Sequence, residues 1–206
     1  MGVDGLSGGP RPGKDAPPRA SLSIDGARAA ARRAHRGLPH RVDPRHPRAV
    51  TWLPETAPGA NPLERVYGLR PNLFEAWREF ALVFWEKRLL DPVLLELVRL
   101  RVAQLHGARF PLASRRPEAR EAGLDEAKIG ELEAWWRSPA FSEIERCCLR
   151  FAEQFVQDAK GMTDEQALPV VAALGEAGTV ALVEALAIFD GFGRFCRMLE
   201  IEPEEA

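Results

Sequence analysis

A chain of 206 residues with 46% hydrophobic content has material for one good-sized domain plus a tail, and its three cysteines form neither a CxxC nor a metal-ligand spacing. The formal charge of −2 hides an asymmetry: residues 1–50 hold ten Lys and Arg against four Asp and Glu, a local +6 that leaves −8 on the remainder. His35, His40 and His46 fall in the basic segment, so His106 is the one imidazole left for the body, and a multi-histidine metal centre there is excluded.

In chain order, residues 1–55 read as a flexible tail rich in Pro, Gly and Arg, followed by a helical domain over 56–206. The opening MGVDGLSGG lacks the apolar core of a secretory signal, and Leu6 stands where myristoylation needs Ser or Thr; the expected location is the cytoplasm. Within the tail, GARAAARRAHRG can form a short Arg-rich helix suited to nucleic acid, anionic lipid or the acidic body. No aromatic residue interleaves it to stack on bases, so nucleic acid is not an expected partner, and a solvated extension is the simpler reading.

From Asn61 onward the apolar period is helical, and an all-α domain of about six or seven helices is expected. Leu73, Trp77, Phe80, Ala81 and Phe84 mark an amphipathic helix over 73–87. Asp91-Pro92 supplies an N-cap and a first-turn Pro for the next helix, which runs to about Leu105 with Gly107 as its stop. That helix carries apolar residues around most of its circumference, so it should be central and Glu96 at least partly buried. A further helix should begin near Pro111 and end around Ala122, and Asp125 to Trp136 should form another. Ser142 to Gln157 follows; Thr163 and Gln166 resemble a capping box, and Thr179 is a candidate cap for the terminal helix. Glu96, Arg99, Arg101, Glu184, Asp190 and Arg194 interrupt the longest apolar stretches, so no run of the ~18 residues needed to span a bilayer, and no membrane partner, is expected.

The stretch Glu96 to Arg115, ELVRLRVAQLHGARFPLASR, resembles the signature of the carboxymuconolactone decarboxylase and alkylhydroperoxidase D-like family, in which a Glu is followed by Cys-x-x-Cys and then His. Counted from Glu96 at the family's spacing, the two Cys positions hold Ala108 and Pro111, and the His position holds Arg115. The segments NPLERVYGLRPNLFEAW, SPAFSEIERCCLRFAEQF and IFDGFGRF look like the corresponding family segments, so the resemblance covers roughly 61–201. It implies an alkylhydroperoxidase D-like helical fold and homo-oligomers assembled through helical faces. In redox members a helix-start thiolate attacks peroxide and the second thiol resolves the sulfenic acid. Ala108 and Pro111 can do neither.

Glu96, His106 and Arg115 are therefore the candidate catalytic residues, with Glu96 moving a proton and Arg115 holding a small organic acid or an anionic intermediate. Arg99, at i+3, is an alternative ion-pair partner for Glu96, and a purely structural Glu–Arg pair is the competing reading. His106 is either an acid–base group or a cap on its helix's carbonyls, and Phe110 is a candidate apolar wall of the former thiol space. Cys147, Cys148, Cys196 and the five Trp read as packing residues, Asp190 and Arg194 as an i, i+4 pair, and Gly191 and Gly193 as points of close helix approach. No cofactor is implied. The functions that remain are a pseudoenzyme serving as scaffold or small-molecule binder, a non-redox decarboxylase or proton-transfer enzyme on a small organic acid or lactone, and, third, a hydroperoxide reductase using other cysteines.

Overall fold

The computed structural model describes residue 53 and residues 56–204, all within one unit, Pro47–Ala206. The expected tail and its Arg-rich segment, Leu53 excepted, lie outside the described residues. Eight α-helices follow in order: α1 Pro62–Tyr67, α2 Pro71–Glu86, α3 Pro92–His106, α4 Arg109–Ala113, α5 Pro117–Glu121, α6 Glu126–Gly130, α7 Glu143–Asp158 and α8 Asp164–Met198. Two 3-10 segments, Leu132–Arg137 and Ala159–Gly161, flank α7, and no strand occurs among the described residues.

The all-α class is as expected, and the extra helices have local causes. The segment expected to run as one helix from Pro111 to Ala122 is broken because Pro117 disfavours helical backbone at Arg116, which sits at φ −74°, ψ 127°. The helix expected over 125–136 ends at Gly130 and continues as a 3-10 turn interrupted by Ala134 at φ −122°.

α3 is the centre of the fold. Asp91 accepts a hydrogen bond from the Leu94 amide at 2.9 Å to start it, and Gly107 ends it in the left-handed conformation at φ +59°. Leu95, Leu97, Val98, Leu100 and Val102 are all 1% exposed or less. Each such side chain contributes about 1.5–3 kcal/mol by leaving water. α7 and α8 pack against α3, and α4 and α5 cover its remaining side.

α7 begins with a capping box in which the Ser142 amide donates to Glu145 at 2.7 Å. α8 starts the same way, the Thr163 amide donating to Gln166 at 3.1 Å. Gly175, at φ +69° and ψ 174°, then breaks α8 into two helical stretches. Thr179 is not the cap of the second: it lies within it, and its hydroxyl donates back to the Gly175 carbonyl at 2.7 Å.

The expectation that no apolar stretch is long enough to cross a membrane is corrected at α8, which contains an 18-residue stretch apolar enough to do so by length and composition. Between Asp164 and Met198, every 18-residue window with at most two charged residues contains Gly175, so the apolar stretch is not one straight helix.

Candidate functional site

Glu96 is fully buried on α3. One turn on, Arg99 grips it with two hydrogen bonds, Nε to Oε2 at 2.6 Å and Nη2 to Oε1 at 2.7 Å. The backbone amide of Arg116 adds a third, to Oε1 at 3.1 Å. Arg99 is itself engaged further: Nη1 donates to the Pro111 carbonyl at 2.8 Å and Nη2 to the Ser114 carbonyl at 3.0 Å. One guanidinium thus ties the central helix to the end of α4, where carbonyls have no helical partner of their own.

Arg115 does not join them. Its side chain turns outward, with Nε and Nη2 each 3.0 Å from a Glu126 oxygen, and this hydrogen bond, opposed by slight burial and aided by the Arg115 charge, holds the Glu126 carboxyl below its ordinary value. The two positions at which the family resemblance expects thiols also part company. Ala108 caps α4 at 2% exposure within a small apolar cluster with Val66, Cys196 and Ile201. Pro111, buried in α4, faces a cavity of about 230 Å³.

That cavity lies between α2 and α8. Trp77, Arg78, Ala81 and Trp85 share one face of α2, at i, i+1, i+4 and i+8, and line it together with Phe189 and Phe192 of α8. Phe110, Pro111, Arg99 and Arg116 close the other side. Phe110 lines the cavity, whereas His106, Ala108 and Arg115 do not. Arg116 sits over Trp85, its guanidinium carbon 4.8 Å from the ring centroid.

His106, the last residue of α3, is hydrogen-bonded through Nε2 to Asp190 on α8 at 2.8 Å. Asp190 also accepts from Arg194 Nε at 2.9 Å, the expected i, i+4 pair. Capping of carbonyls by His106 is not needed, because the Gly107 and Ala108 amides already reach the Gln104 and Ala103 carbonyls at 3.0 and 2.9 Å. Gly193 makes the approach of the two helices feasible: a Cβ there would stand 2.6 Å from His106 Cδ2. Gly191 faces open space instead.

The thiols are remote from this chemistry. Cys148 and Cys196 are 0% and 1% exposed, and burial pushes both up to about 12, with Cys147 and Glu145 adding to the effect at Cys148. Cys147 is partly buried against the core, and all three are free. Among the described residues no group of three or more His, Cys, Asp or Glu could hold a metal ion.

Residues 71–154 match the model of the carboxymuconolactone decarboxylase family. Over those residues the chain is similar to that family. The match runs from α2 through most of α7 and so contains Glu96, Pro111 and the three arginines that line the cavity, Arg78, Arg99 and Arg116. A crystal structure of an Agrobacterium tumefaciens protein of unknown function, described as a candidate antioxidant defence protein AhpD, has the same fold, with a TM-score of 0.61 and 22% identity over 68% of this chain and 96% of that one. No curated protein matches the chain.

Sequence reasoning missed Arg116, Arg78 and the pairing of His106 with Asp190. Arg78 is exposed and has no repeat or motif to mark it. Trp135 and Trp85 are both core residues, Trp135 donating to Glu153 at 2.8 Å, and Trp85 together with the half-buried Trp77 also lines the cavity. Their spacing of eight on one helix face was the available signal.

Proposed function

We propose that this chain is a non-redox member of its family, a pseudoenzyme with respect to thiol chemistry, that binds a small organic molecule in the cavity beside Pro111. The observation that carries this is the state of Glu96. Both of its oxygens accept hydrogen bonds from Arg99, one also from the Arg116 amide, and the side chain is fully buried. A carboxylate so held is suited to fixing α4 and the cavity wall, and no thiol or imidazole stands at the former redox positions to exchange a proton with it.

A homo-oligomer is part of the same proposal. Only 17% of the apolar window in α8 is buried, and Val180 and Val183 are exposed at 69% and 37%, which leaves an apolar face suited to a second copy. Light scattering after size exclusion should give a mass above 22.8 kDa; a monomer over the whole accessible concentration range contradicts assembly. Three free cysteines fit a reducing compartment, and we place the protein in the cytoplasm.

Glu96→Gln tests the structural role. It should lower the unfolding free energy by about 2–4 kcal/mol, since it leaves Arg99 charged and poorly partnered. An equally stable variant would overturn the reading. The second reading, a non-redox acid–base enzyme, is favoured by the 2.8 Å contact between His106 and Asp190. It requires turnover of a small organic acid or lactone that is lost in a folded His106→Asn variant.

A further inference from the structure

We propose that the cavity between α2 and α8 is selective for an amphipathic organic monoanion: an aromatic or alicyclic body carrying one carboxylate, with Arg78 and Arg116 reading the charge. This deepens the small-molecule-binding reading above and rests on it.

The walls decide the body of the ligand. Trp77, Trp85, Phe110, Phe189 and Phe192 all line a space of about 230 Å³, enough for a single-ring compound and too apolar for a small, fully hydrated ion. Trp77 and Phe192 stack on each other with centroids 4.8 Å apart, and this aromatic lining favours an apolar ring over a polar chain.

The charges decide the head. Three arginines line the cavity and no carboxylate does. Arg99 is neutralised by Glu96 and spends its donors on Glu96, Pro111 and Ser114. Arg116 is only partly satisfied: Nη2 donates to Glu118 at 2.8 Å, while its buried Nε has no hydrogen-bond partner among the described residues. Arg78 makes no ion pair among the described residues and stands in the same helix face as Trp77. Arg78 therefore brings an uncompensated positive charge to the cavity lining, and Arg116, its charge shared with Glu118, adds a second guanidinium there. A neutral ligand would leave the Arg78 charge unmet, and a cation would face it directly. A carboxylate meets it, because its plane can accept from a guanidinium fork.

The test uses the full chain and 3-phenylpropionate, followed by tryptophan fluorescence and isothermal calorimetry, with the isosteric 3-phenylpropanamide, propionate and phenethylammonium as controls. One 3-phenylpropionate should bind per chain. The amide should bind at least about tenfold more weakly, and propionate and the cation should show no saturable binding. Arg78→Gln, an exposed substitution that leaves folding intact, should weaken 3-phenylpropionate by about tenfold and leave the amide unchanged. Ala81→Trp, verified as folded by circular dichroism, should abolish binding by filling the space, and Arg120→Gln, an exposed change not lining the cavity, should have no effect. Equal affinity for acid and amide, indifference to Arg78→Gln, or no binding of 3-phenylpropionate would each overturn the assignment. Peroxide turnover, measured separately, would instead overturn the non-redox reading on which it rests.

Discussion

Arg99 closes a fork on Glu96, with contacts of 2.6 and 2.7 Å, and with the remaining face of the same guanidinium it holds the carbonyls of Pro111 and Ser114. The carboxylate is at 0% exposure and the arginine side chain at 11%, so the pair is a tie between helices rather than a surface ion pair. Lys has one point of charge and no fork, and cannot meet these partners together. Arg99→Lys should therefore cost about 2–3 kcal/mol in urea unfolding and speed amide exchange over residues 109–116. Unchanged exchange in that segment would show that the tie is not what orders it.

Two glycines of α8, two residues apart, should respond to the same substitution with opposite sign. At Gly193 a methyl would collide with the His106 ring at 2.6 Å, and overpacking of this kind costs about 1–3 kcal/mol. At Gly191 nothing lies within 4 Å, and Ala should stabilise the helix by up to about 1 kcal/mol. Urea denaturation of Gly193→Ala and Gly191→Ala under conditions that hold the assembly state fixed checks both. A stable Gly193→Ala would mean that α3 and α8 are not so closely apposed.

Much of this was legible in the sequence, and what was not has a physical reason. Asp91, Pro92 and Gly107 bound the central helix because capping chemistry is local, and Arg99 reached Glu96 because i, i+3 neighbours share a helix face. Arg115 and Arg116 depend on more than local spacing. Ser114 to Arg116 is extended backbone, in which neighbouring residues point to opposite sides, so a count from Glu96 cannot say which one turns inward. It is the Arg116 amide that reaches Glu96, while the Arg115 side chain goes to Glu126. His106 and Asp190 are 84 positions apart, and only tertiary packing brings them within 2.8 Å. The cavity likewise needs faces from two helices distant in the chain, and neither Trp77 nor Phe189 announces it alone.

The buried thiols give a pH dependence. Cys148 and Cys196 are pushed from the ordinary 9.0 up to about 12 in the fold, chiefly by burial. Above pH 9 the unfolded chain releases these protons and the folded chain does not, so their contribution is intact below the unfolded value and is lost as pH rises through the folded one. Stability should fall across pH 9 to 12, less steeply in a folded Cys148→Ala, Cys196→Ala variant. A thiol reagent at pH ~8 should label neither residue before unfolding. Rapid native labelling of either would contradict its burial.

The central claim, that the site around Ala108 and Pro111 does no sulfur chemistry, is tested most directly by dithiol-dependent reduction of an organic hydroperoxide. Wild type should be compared with a Cys147→Ser, Cys148→Ser, Cys196→Ser variant verified as folded. Ala108 cannot form a sulfenic acid and Pro111 cannot resolve one, and the remaining thiols are packed into the core or partly buried against it, so both proteins should consume peroxide at the background rate. Robust consumption by wild type that disappears in the folded variant would reveal a relocated cysteine centre and contradict the non-redox account.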